Sequence, residues 1–73
     1  MDREIEIRDK EQVEKINRLA AEAPYEVWLS TDTMMLDARS LLGLMALVGK
    51  RARVGVEEDV NPRSFGRLVN KMN

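Results

Sequence analysis

The chain opens on an alternation. Ile5 and Ile7 are apolar, and Glu4, Glu6 and Arg8 around them are charged. A period of two turns one face of an extended chain to a core and the other to water, so "REIEIRD" predicts a half-buried strand. From Asp9 the period changes. Val13, Ile16, Leu19, Ala20 and Ala23 recur at three- and four-residue spacing with charges between them, which predicts one buried face of a helix. Asp9 stands at its N-cap, and Gln12 three residues later completes a capping-box pattern. Pro24 ends the helix, because the residue before a proline is pushed out of helical conformation. Alternation then returns in "YEVWLS": Tyr25, Val27 and Leu29 share one face, and Glu26, Trp28 and Ser30 the other. "TDT", with Asp32 at its centre, predicts a tight turn, and "MMLDA" a short return strand. Met34 is expected in the core, and Met35 near Trp28 on the opposite face.

Ser40 is a good N-cap for a short helix over "LLGLMAL", in which Gly43 costs about 1 kcal/mol relative to alanine. Gly49 and "KR" predict a loop, and Ala52, Val54 and Val56 alternate along a fourth strand. Asn61 then caps a closing helix with Pro62 at its first position; Phe65, Leu68, Val69 and Met72 lie on one face of it. The predicted order is βαββαβα, in a single domain spanning 1–73. Each strand has one apolar face, and every helix needs a sheet to cover. The expected fold is therefore α+β, a two-layer open-faced β-sandwich with helices on one face of a four-stranded sheet and water on the other.

Composition narrows the chemistry. At 73 residues the chain buries only about 60% of its unfolded surface, so its core is marginal. It has no cysteine and no histidine. A zinc site of the usual kind then has no ligands, and Ser–His and Cys–His nucleophile pairs are impossible. Glu57, Glu58 and Asp59 cluster three carboxylates, but acid–base work needs a pKa raised by burial, and an acidic turn before a helix explains them. No catalytic residue, metal or cofactor is expected, nor an enzyme. Twelve basic against thirteen acidic residues give a net charge of −1, which provides no general attraction to nucleic acid. The charged start "MDREIEIRDK" does not read as a signal peptide, and a cytoplasmic protein is expected. Ser40–Val48 carries no charge in a chain that is 34% charged. That run is far short of the roughly 20 apolar residues a membrane span needs, so no membrane is expected. It is also apolar on nearly every face, more than one helix packed on one sheet can hide.

The order of elements and the segment "DARSLLGLMAL" resemble HPr, the small phosphocarrier of the bacterial sugar phosphotransferase system. In that family's regulatory-serine segment a serine opens a short helix, followed by two large apolar residues, a glycine and a methionine. Here these are Ser40, Leu41, Leu42, Gly43 and Met45. The resemblance implies an antiparallel sheet of order 1-4-2-3. It also implies an active-site histidine at the start of the first helix, with an arginine two residues later. Asp9 and Glu11 stand at about those places, and the loop before them is nearly deleted. Imidazole is needed to form phosphohistidine, so the expected molecule is an HPr-like module that cannot carry phosphate by the family's route. Two negative charges now occupy a helix N-terminus where a phosphate would have been welcome. The helix cap explains Asp9 without an aspartyl phosphate.

Three sets of candidates remain. Ser40 is explained fully as an N-cap; the resemblance adds regulatory phosphorylation, with Arg39 near enough to pair with the phosphate. Leu44 and Leu47 suffice to anchor the short helix, which leaves Leu41, Leu42 and Met45 on its other face; the resemblance implies that they form an exposed apolar patch that docks a protein partner, of unknown identity. Arg39 and Lys50 flank it; Lys50, Arg51 and Arg53 read either as a solvated loop or as a basic rim. Trp28, with Met35, is expected exposed on the open sheet face, where it could support a homo-oligomer. The function expected is a non-catalytic protein-binding or regulatory module. The alternatives are a phosphotransferase-system phosphocarrier variant and a structural oligomerisation domain.

Overall fold

The computed structural model describes all 73 residues. Strand β1 (Asp2–Glu6) sends Ile5 inward, and Ile7, just past its end, is fully buried. Helix α1 (Lys10–Glu22) follows after three residues, and Ala23 leaves it in an extended conformation, as Pro24 demands. Strands β2 (Trp28–Ser30) and β3 (Met35–Asp37) form a hairpin. Helix α2 (Leu41–Met45), strand β4 (Arg51–Gly55) and helix α3 (Pro62–Met72) complete the βαββαβα order.

β4 lies between β1 and β2, antiparallel to both: Ile5 pairs with Ala52, and Val54 with both Arg3 and Leu29. β3 closes the far edge through Leu29↔Leu36. The sheet order is β1-β4-β2-β3, antiparallel throughout. Its inner face contributes Ile5, Leu29, Ala52 and Val54 to a core completed by Val13 and Ile16 of α1, Leu44 and Leu47, and Phe65, Val69 and Met72 of α3. Arg3 leans over the Phe65 ring, its guanidinium 5.7 Å from the ring centre. The other sheet face carries no helix. The predicted two-layer open-faced sandwich is the observed fold.

Four expectations are corrected. Met34 is not in the core; it is 43% exposed. Its parity matches Leu36, but it lies in the turn closed by the Thr31 N–H donating to its own carbonyl at 2.8 Å, beyond the last ladder pair Ser30↔Met35. β2 is shorter than its alternation, since Tyr25, Glu26 and Val27 precede the ladder, although Val27 is buried. The helix over "LLGLMAL" stops at Met45, and tighter bonds from the Leu47 N–H to Leu44 O and from the Val48 N–H to Met45 O continue the turn. Arg51 opens β4 rather than ending a loop, because the reversal is made at Gly49, whose φ of 89° only glycine adopts readily.

Candidate functional site

At the first corner, between β1 and α1, Asp9 accepts the Gln12 N–H at 2.9 Å, as an N-cap should. Gln12 departs from the capping box. Its Oε1 accepts the N–H of Arg8 at 2.7 Å, one residue earlier than the box predicts. Its Nε2 donates to the Glu6 carbonyl at 2.8 Å and to the Met72 carbonyl at 3.1 Å. Gln12 is only 3% exposed, and it locks the start of α1 to the ends of β1 and α3. A shallow surface cavity of about 240 Å³ lies outside it, lined by Arg8, Asp9, Glu11, Gln12 and Lys15 with no apolar residue. The acids Asp9 and Glu11 oppose a second anion there, and no group of three acidic, cysteine or histidine side chains is placed to hold a metal.

At the second corner, Ser40 caps α2, its Oγ accepting the Gly43 N–H at 3.3 Å. Leu44 and Leu47 are buried, which fixes the roll of the helix. Leu41, Met45 and Val48 then follow one another at four- and three-residue steps along the outer side, all exposed, with Leu42 beside them at 86% exposure. Val48 was missing from the expected surface; its place three residues after Met45 is the signal that finds it. Asn17 of α1 donates to the Ala38 carbonyl at 3.2 Å and fastens the segment leading into α2. Lys50 is exposed beyond the turn.

Arg39 is not free to serve a phosphate. Its guanidinium holds both oxygens of Asp37, at 3.1 and 2.8 Å, and reaches Glu26 at 3.3 Å. The side-chain hydrogen bond from Arg39, helped by its backbone N–H and positive charge, lowers the Asp37 carboxyl to about 2. Nor do Arg51 and Arg53 form a rim for α2. Alternation with the buried Ala52 and Val54 turns them to the open sheet face, where they pair with Glu4 at 2.9 Å and Asp32 at 3.5 Å. Among the acids before α3, the pKa of Glu58 is pushed down by the Met1 ammonium, the wrong direction for a general acid at neutral pH.

On the open face Trp28 lies where expected, but it is half-buried, not exposed. It pairs across the ladder with Gly55, and the indole lies over that glycine: a Cβ built there would sit 2.6 Å from Trp28 Cε2. Met35 is 70% exposed and pairs with Ser30, two ladder pairs from Trp28 and on the same face of the sheet.

Two solved structures share this arrangement of elements. HPr-C-His from Thermoanaerobacter tengcongensis matches with a TM-score of 0.75, over 99% of this chain and 90% of that one, at 21% identity. The phosphocarrier protein HPr from Bacillus anthracis matches with a TM-score of 0.74, over 100% and 96%, at 14% identity.

The fold is that of HPr.

No protein-family model matches the chain, and no curated protein matches it in sequence. The HPr likeness is one of backbone, near-complete in coverage. Within this HPr fold the chain has no histidine, and the start of α1 is occupied by Asp9, Glu11 and the buried Gln12. No helix is long and apolar enough to cross a membrane.

Proposed function

We propose that the chain is a non-catalytic docking module on the HPr fold, cytoplasmic, binding a protein partner through the outer side of α2. The observation that carries this reading is Leu42, 86% exposed beside Leu41, Met45 and Val48 on a helix whose buried anchors are Leu44 and Leu47. An apolar cluster held outward by buried neighbours marks an interaction surface. Methionine suits a surface that must adapt to its partner. Carriage of phosphohistidine has no residue to perform it. Lys50, with no ion pair of its own, extends the surface on one side.

Ser40 is the gate in this reading. Phosphorylated, it would place about two negative charges at the edge of an apolar surface and weaken docking by desolvation. Arg39 would have to leave Asp37 to meet the phosphate. The oligomer alternative has less support, because the Trp28 indole is partly spent on Gly55.

Two experiments test the reading. Incubation with phosphoenolpyruvate and the first enzyme of the phosphotransferase system should leave the chain's mass unchanged; an acid-labile phosphoryl group on it would refute the proposal. Affinity capture from the native host should recover a partner with the parent chain and lose it with Leu42→Asp. Identical recovery with both would move the docking surface elsewhere.

A further inference from the structure

Helix α3 shows an outer side that the proposed docking surface does not use. Arg63, Arg67 and Lys71 recur every four residues on it, all exposed, and the helix contains no acidic residue. At a rise of 1.5 Å per residue, the stripe spans about 12 Å. None of the three forms an ion pair, so their charge is open to a partner, as it is for most of the chain's twelve cations; only Arg39, Arg51 and Arg53 are paired. Beside the stripe runs a shallow groove between α3 and the last turn of α1, of about 180 Å³. Its apolar lining is Leu19, Ala23, Tyr25 and Leu68; α3 adds Ser64, Arg67 and Lys71, and α1 adds Glu22. Arg67 also donates to Ser64 Oγ at 3.3 Å, which steadies the guanidinium there.

We propose that this groove docks an acidic amphipathic helix of a partner protein, one large apolar side chain seated on the apolar lining and glutamates or aspartates against Arg63, Arg67 and Lys71. Three features select that occupant. The volume is below the 300–1,000 Å³ of pockets that enclose small molecules, but it suits a single anchoring side chain. The cations are spaced one helical turn apart, the repeat of acids at i and i+4 on a facing helix. Three cations beside Glu22, on a chain of net charge −1, are too few for affinity to a nucleic-acid backbone. The apolar residues of α3 are buried, so the helix has no face to sink into a lipid surface. Glu22, contributed by α1, sets direction, since it rejects acids from that helix's side.

The probe is a fluorescein-labelled peptide, helical by composition, with leucines on one face and glutamates at i and i+4 along its margin. Anisotropy should report binding to the parent chain that weakens as salt is raised. Arg67→Glu combined with Lys71→Glu should weaken it roughly tenfold or more, and a peptide with lysines for glutamates should bind that variant in preference to the parent. Circular dichroism of the variant checks that these exposed changes leave the fold intact. Leu42→Asp should leave peptide binding unchanged, which keeps this groove separate from α2. Equal binding of parent and variant, or no binding at all, would overturn the proposal. So would tighter binding of duplex DNA or anionic vesicles, or self-association of the chain abolished by the same double reversal.

Discussion

The contact between Trp28 and Gly55 sets two effects of opposite sign against each other. Glycine in a strand costs up to roughly 0.5–1 kcal/mol relative to alanine, so even at the end of β4 Gly55→Ala would ordinarily stabilise. Here the new Cβ would stand 2.6 and 2.9 Å from indole carbons, closer than such atoms come, and the ring must move. Overpacking of this kind costs about 1–3 kcal/mol, so the clash wins. Gly55→Ala should lower the urea midpoint and shift Trp28 fluorescence to the red as the ring lifts into water. In a Trp28→Ala background the same change should be neutral or stabilising, and that reversal distinguishes ring contact from backbone strain. A second residue-scale effect lies at Asp37. Its carboxyl is lowered to about 2, so the stability it contributes is present above the ordinary value near 3.8 and lost as pH falls toward 2. Arg39→Ala should return the Asp37 midpoint most of the way to 3.8 in a carboxyl-carbon NMR titration. An unchanged midpoint would mean that the guanidinium is not what holds it down.

At the scale of elements, caps and joints matter more than propensity. Gln12 serves three backbone groups belonging to β1, α3 and the entry to α1. Gln12→Leu fits the volume but strands the part-buried Arg8 N–H and two carbonyl acceptors, the Met72 one fully buried, a loss on the order of 2–3 kcal/mol. Ser40→Ala removes one cap bond from an exposed helix end and should cost only about 1 kcal/mol. Chemical denaturation of the two variants should therefore rank Gln12→Leu well below Ser40→Ala. Periodicity made α1, α3, β1 and β4 legible, because each has enough residues for its period to show. It blurred β2 and β3, which are three residues each, too few to show where a ladder stops and a turn begins. Met34 was misplaced for that reason. Gln12 was legible as a cap but not as a joint to α3, because its bond to Met72 spans 60 positions. The half-burial of Trp28 was hidden in the same way, in a glycine on another strand. The α2 surface was legible because its buried and exposed residues lie within one short run.

For the whole molecule, the question is how a chain with so small a core can leave six large apolar side chains exposed, four of them on α2 and the turn after it. A domain of this length is stable by about 4–11 kcal/mol. Each buried anchor is then a sizeable share of the total, and Leu42, 86% exposed, contributes almost nothing to it. Leu44 and Leu42 are two residues apart on the same turn, one fully buried and the other 86% exposed. Leu44→Ala should cost about 2–5 kcal/mol, enough to bring the chain near its threshold. Leu42→Asp should change stability by no more than about 0.5 kcal/mol, since the side chain is 86% exposed in the monomer. Thermal melts of the two variants, set beside partner capture by Leu42→Asp, separate what the fold needs from what it displays. If Leu42→Asp melted as low as Leu44→Ala, the side chain would be part of the monomer's own packing, and α2 would lose its claim as a docking surface. If it melts with the parent and loses the partner, the apolar side of α2 is retained for binding and not for folding.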